Sequence, residues 1–330
     1  SFEPKTGRNF YLFFELAEVD PRLAEALEFF VWNVLLPGDG LTLITPVKTY
    51  RMKPESIDVL PKPKLVEQLT GLVRRDVVVG HAEYRDAVDE LAAMAKTLAS
   101  AISMNAEHGD TLDFSGAGLS GHLDGLSLED LLARYLVLLE KLQSLRRLDE
   151  KTFHGFAETL KSQEGRKYVY LFYQQEFLPL IEPRILYQYM DLHQGQPAVL
   201  TMLSDIAHFA VSSAPLDVAA AEAAYADAST AVHFMFLTRR PEDRPNVRFE
   251  ERGADLFAPF REMAEATGGL AQSSANPVFL MKKAVQAAEN YYLLYYAPRG
   301  YAADGAFKTI RVRVKPRGCE VSHRSGYFAR

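Results

Sequence analysis

The chain has 330 residues, 48% hydrophobic and 24% charged, with a formal net charge of −6. This is ordinary globular composition, long enough to bury a core without staples, and its acidity argues against a general nucleic-acid binder. Cys319 is the only cysteine, which excludes an intrachain disulfide framework and a multi-cysteine metal site, and no apolar run reaches the roughly 18 residues that a membrane-spanning helix needs.

In chain order, Phe10–Phe14 is a compact apolar run, the pattern of a strand buried on both faces. Pro21 to Leu36 has helical spacing, with Leu23, Leu27, Phe30, Val31 and Val34 on one side and Asp20 as N-cap before an N1 proline. Pro37-Gly-Asp-Gly40 is a turn, and Leu41–Thr45 reads as a second strand, giving a βαβ opening.

Between about Lys64 and Gln163 helical periodicity takes over. Tyr84, Val88, Leu91, Ala95, Leu98 and Ile102 form one stripe and Leu131, Tyr135, Leu138, Leu142 and Leu145 another, which predicts a helical hairpin. Ser127 to Asp130 resembles a capping box at the start of the second helix. Tyr168–Tyr173 and Ala231–Leu237 read as strands, with helical segments filling Phe177 to Asp227. A helix over Asp255–Thr267 ends at Gly268-Gly269, and another over Pro277–Glu289 precedes a strand at Tyr291–Ala297. Phe307–Lys315 alternates as a half-exposed strand does, and Val321–Phe328 is expected to pair with it.

Three signals between and beyond these elements bear on function. Gly116–Gly121 fits GxGxxG but stands between helical patterns, where a flexible loop is expected and not a dinucleotide site; Ser120 within it lies outside any GxSxG nucleophile motif. His108, Asp110, Asp113, His122 and Asp124 cluster in the same loop without HxxxH or HExxH spacing, the pattern of a solvated polar loop. From Lys308 to Arg330 the net charge is +6, leaving −12 elsewhere, and alternation puts Arg311, Arg313 and Lys315 on one strand face. That face is either a solvated, aggregation-resistant edge or a docking stripe for an acidic partner.

Four C-terminal motifs carry a family resemblance. Leu256 to Gly269 resembles LxxLAxxTGG, Asn290 to Pro298 YYxLxYxP, Asp304 to Lys315 DGxxxxIxVxV, and Arg324 to Ala329 RxGYFA, all in the order found in bacterial von Willebrand factor A-related proteins. Gly165–Phe172 and Pro37–Ile44 resemble upstream strands of the same family. The resemblance implies an α/β fold with a Rossmann-like sheet flanked by helices over 1–63 and 164–297, a helical-hairpin insertion at 64–163 and a C-terminal β extension at 298–330. It also implies a metal-ion-dependent adhesion site at the carboxyl ends of the strands, where hydroxyl and carboxylate oxygens hold Mg²⁺. Here Glu15 aligns with the first Asp, while Ala17 and Val19 replace both hydroxyls and Gln174 stands where the second Asp belongs.

The expected function is therefore a non-catalytic protein–protein interaction or assembly module with a degenerate metal site and no cofactor. Arg311, Arg313 and Lys315 are its candidate partner-binding residues, for another protein or a second copy. A metal-dependent adhesion module with rearranged ligands Glu15, Glu18 and Glu176, and an enzyme built on the insertion loop with His108 or His122 as base, are the alternatives. The chain starts at Ser1 and not at Met, as expected of a processed or trimmed chain, and the resemblance implies a periplasmic or extracellular protein.

Overall fold

The computed structural model describes residues 7–108, 127–146, 150–209, 218–252, 254–289, 294, 300–315 and 321–329. In chain order the elements are β1 (Arg8–Glu15), α1 (Leu23–Asn33), β2 (Gly40–Ile44), β3 (Thr49–Met52), α2 (Pro54–Val59), α3 (Lys62–Gly80), α4 (Ala82–His108), α5 (Leu128–Arg146) and α6 (Glu150–Lys161). They continue with β4 (Arg166–Gln174), β5 (Phe177–Ile181), α7 (Pro183–Leu192), α8 (Pro197–Phe209), α9 (Val218–Asp227), β6 (Thr230–Leu237) and β7 (Val247–Glu251). The last are α10 (Ala254–Ala266), β8 (Ala271–Ser274), α11 (Pro277–Glu289), β9 (Phe307–Thr309) and β10 (Gly326–Phe328).

The central sheet has six strands in the order β3-β2-β1-β4-β6-β8. All neighbours run parallel except β3, which returns antiparallel on β2. Counted along the chain, the sheet's own strands stand in the order 3-2-1-4-5-6, that of a doubly wound α/β sheet, so the fold is compatible with a Rossmann-like one. The apolar runs of β1, β4 and β6 follow from burial on both faces. Phe10, Leu12, Phe14, Tyr170 and Phe172 pack under α1, α3 and α11. Val169, Leu171, Tyr173, Phe234 and Phe236 face α6, α9 and α10.

A third cluster lies beside the sheet. α4 and α5 pack together, joined by Lys141–Glu83 (2.9 Å) and by Arg134–Glu90, so the two helices run antiparallel. Their stripes also bury against α7, α8 and β5. At the start of α5, Ser127 Oγ accepts the Asp130 N–H at 3.1 Å and donates to Asp130 Oδ2 at 2.7 Å, an N-cap of the expected kind. α3 and α6, within the stretch read as an insertion, pack on opposite faces of the sheet.

Three sequence expectations change. Phe177–Ile181 is a strand, not helix, because β5 pairs antiparallel with β7, a partner nearly 70 residues away. The strand predicted over Phe307–Lys315 stops at Thr309: Ile310 N–H still bonds the Ser325 carbonyl, but Val312 N–H meets the His323 ring, which interrupts the ladder. The short strands β3 and β8 were not expected from the sequence, being too brief and polar to show a period. The strand predicted at Tyr291–Ala297 lies outside the described residues apart from Leu294. Among the described residues no helix is long and apolar enough to cross a membrane.

Candidate functional site

In a doubly wound sheet, ligands bind outside the carboxyl ends of the strands where the connections diverge to opposite faces. Here that point lies between β1 and β4: the β1 connection passes through α1 on one face and the β4 connection through α9 on the other. Glu15, the last residue of β1, stands opposite Tyr173, one residue before Gln174 ends β4.

The following loop is built for packing. Leu16 and Ala17 are buried, Ala17 in the cluster of the helical layer, and Val19 packs on the core under α1. A hydroxyl at 17 or 19 would therefore replace an apolar contact. Gln174 is 5% exposed and its Oε1 accepts the Glu18 N–H at 2.8 Å. Arg239, two residues past β6, fastens the strand ends together. Its Nε donates to the Gln175 carbonyl and its N–H to Gln175 Oε1, both at 2.9 Å, while Nη1 pairs with Glu18 Oε1 at 2.6 Å. Its guanidinium also lies 5.7 Å from the centre of the Phe177 ring. From the helical side Arg85 donates to the Ala17 carbonyl at 2.9 Å.

Of the candidate carboxylates, Glu18 is held by Arg239 and Glu176 accepts from the Tyr173 hydroxyl at 3.2 Å. Glu15 Oε1 lies 3.3 Å from His81 Nε2, close but without hydrogen-bond geometry, so this pair gains strength only when the imidazole is protonated. A hard divalent cation needs several converging anionic or carbonyl oxygens. Around Gln174 the structure instead places a guanidinium and a satisfied carboxamide, and that donor set does not fit Mg²⁺. Among the described residues no three His, Cys, Asp or Glu side chains are grouped as a metal site. The loop residues Gly116–Gly121, Asp110, Asp113, His122 and Asp124 lie outside the described residues, and of His108 only the backbone, ending α4, lies within them.

Beyond β2 the same edge carries a buried carboxylate. Asp76 is 2% exposed and accepts from Thr45 Oγ1 at 2.8 Å, Tyr50 at 2.7 Å and Arg75 Nε at 2.9 Å. Burial pushes its carboxyl up, but the hydrogen bonds from Tyr50, Thr45 and Arg75 outweigh it and hold the group below the usual range. The same bond pushes the Tyr50 phenol up. Val47, Val78 and Val79 stand exposed at this edge, with Gly80 seated against Pro46 and Val47. The crevice is thus filled by internal polar links and rimmed by apolar side chains.

Arg311, Arg313 and Lys315 are exposed but lie past the end of β9, with Val314 exposed among them, so they do not share one strand face as the alternation predicts, and they lie elsewhere. β10 packs on α9, and the Phe328 N–H bonds Asp227 just before β6 begins, so these cations stand near the opposite end of β6 from Arg239. Sequence reasoning missed Arg239, Arg85, His81 and Asp76. Only Arg239 had a signal: it follows directly on a predicted strand, where such sheets place their ligand residues. Compared with protein-family profiles, with curated proteins and with solved structures, the chain matches none.

Proposed function

We propose that this protein is a non-catalytic protein-binding module, a von Willebrand factor A-like domain in which an internal arginine clasp stands where the family holds its metal. The reading rests chiefly on the Glu18–Arg239–Gln175 link beside Gln174. Further support comes from the sheet order and the C-terminal sequence motifs. Apolar Val47, Val78 and Val79 beside a charged clasp have the composition of a protein interface, an apolar centre with polar surroundings. As the family resemblance implies, the module works outside the cytoplasm.

The test is a thermal melt and a calorimetric titration of the whole chain with Mg²⁺. The expected result is no heat of binding and no change in melting temperature with Mg²⁺ or EDTA, since a ligand stabilises the fold only near or above its dissociation constant. A saturable upward shift at low millimolar Mg²⁺ would return the site to metal-dependent adhesion and overturn the proposal.

A further inference from the structure

Among the described residues, the sheet face turned towards α6 is covered unequally. α6, α9 and α10 close over β4 and β6, while the half built from β1, β2 and β3 forms the floor of a groove of about 760 Å³. Pairing puts Tyr11, Thr42 and Arg51 in one row and Phe13, Ile44 and Thr49 in the next, all on this face. Phe156 of α6 forms the wall, its ring 5.7 Å from Tyr11 and 6.3 Å from Phe13. The volume lies within the range of small-molecule sites, which are mostly apolar with a few fixed polar groups. From Asn9 to Glu15 the floor is roughly 20 Å long, at about 3.3 Å per strand residue.

The groove is electrically polar along its length. Arg51, in the Tyr11 row, is exposed and its side chain makes no hydrogen bond or ion pair among the described residues; nor does the side chain of Lys53, two residues on, whose carbonyl accepts the Ser56 and Ile57 N–H groups. Arg51 is near enough to Tyr11 to oppose the effect of burial on its phenol. The acids at the far end have neighbours: Glu15 faces His81 and Glu176 accepts from Tyr173. Among the described residues, Arg51 and Lys53 thus give one end of the aromatic floor two cations without a carboxylate partner, while the other end is lined by one cation, Lys48, and two carboxylates, Glu15 and Glu176.

We propose that this groove binds an amphipathic carboxylate, its anionic head at Arg51 and Lys53 and its apolar chain lying over Tyr11 and Phe13 against Phe156. A cationic amphiphile of equal length would meet like charge at the head end and bind more weakly.

The experiment is calorimetric titration of the whole chain with dodecanoate and with dodecyltrimethylammonium, both below their micelle concentrations. Wild type is expected to bind dodecanoate saturably, more weakly as salt rises, and to bind the cation at least about tenfold more weakly. Arg51→Glu should weaken dodecanoate binding by about tenfold at an unchanged melting temperature, because Arg51 is exposed. Thr42→Trp, which fills the floor, should abolish it. No saturable binding of dodecanoate, equal binding of both amphiphiles, or unchanged binding by Arg51→Glu would each overturn the proposal. Arg51→Glu decides the matter alone if Thr42→Trp does not fold.

Discussion

At the scale of single residues, several positions are fixed by contacts that leave no alternative side chain. Gly268 has φ +76°, the left-handed region open to glycine, and ends α10. Gly269 lies so close to the Val232 backbone that a Cβ would overlap its carbonyl oxygen. Thr267 completes the joint, its Oγ1 accepting the Val232 N–H at 3.1 Å and donating to Ala264 at 3.0 Å. This Thr-Gly-Gly segment joins α10 to β6, a structural explanation for the motif. Gly269→Ala should destabilise the protein by about 3 kcal/mol or more, because both clashing groups are backbone; denaturant unfolding measures it.

His233 is held by packing alone. It is 1% exposed in β6 and stacks on Tyr170 at 5.1 Å, and neither ring nitrogen has a hydrogen-bond partner among the described residues. Burial pushes its pKa down to about 4. The sign follows from linkage: between pH 6.5 and 4 the unfolded chain takes up a proton that the folded protein refuses. Stability is therefore full above about pH 6.5 and declines towards pH 4, by about 3 kcal/mol from this residue. His233→Leu should remove that part of the acid sensitivity and leave neutral-pH stability equal or higher. A variant with the wild-type pH profile would show that His233 is not the group responsible.

At the scale of elements, the hairpin of α4 and α5 is held through its seam. Leu91, Leu98, Leu131 and Leu142 are buried there, and Tyr135 bridges to β5 by donating to the Pro179 carbonyl at 3.3 Å and accepting from the Ile181 N–H at 3.2 Å. Leu138, 7% exposed, sits mid-seam, whereas Leu145, at the end of the same stripe, is 40% exposed. Leu138→Asp buries an unpaired charge and should cost several kcal/mol, while the same change at Leu145 should cost about 0.5 kcal/mol. Equal effects in urea unfolding would show that the seam does not carry the hairpin.

At the scale of the whole molecule, charge is divided unevenly: net +6 from Lys308 to Arg330 against −12 elsewhere. Arg311, Arg313 and Lys315 are exposed and sit away from the Arg239 clasp, and we propose them as a second docking surface of the module. Screening falls to about 8 Å at physiological ionic strength, so association through them should weaken as salt rises. Reversing all three to Glu should slow self-association or partner capture at low salt and leave the melting temperature unchanged. Light scattering at low and high salt checks the first case; unchanged association at low salt would reduce the stripe to a solvated face.

What the sequence by itself determined is what short-range periodicity encodes. The apolar run Phe10–Phe14 is a strand because it is buried on both sides, the four-three steps of Tyr84–Ile102 are a helix, and Gly268-Gly269 is a stop because only glycine fits there. Residue type alone also says that Ala17 and Val19 carry no side-chain oxygen and that Gln174 brings a carboxamide and not a carboxylate. The tertiary structure decided everything that depends on a distant partner. β5 is a strand because β7 lies beside it, and β9 ends early because the His323 ring meets the Val312 N–H. Arg239 reaches Glu18 across 221 positions, and Asp76 is buried because Thr45, Tyr50 and Arg75 converge on it. The open half of the sheet face was likewise invisible in the chain: β1 and β4 carry similar apolar runs, and only the placement of α6, α9 and α10 decides which of them is covered on that side. Local patterns record how a segment folds on itself, whereas the sites arise where segments far apart in sequence meet.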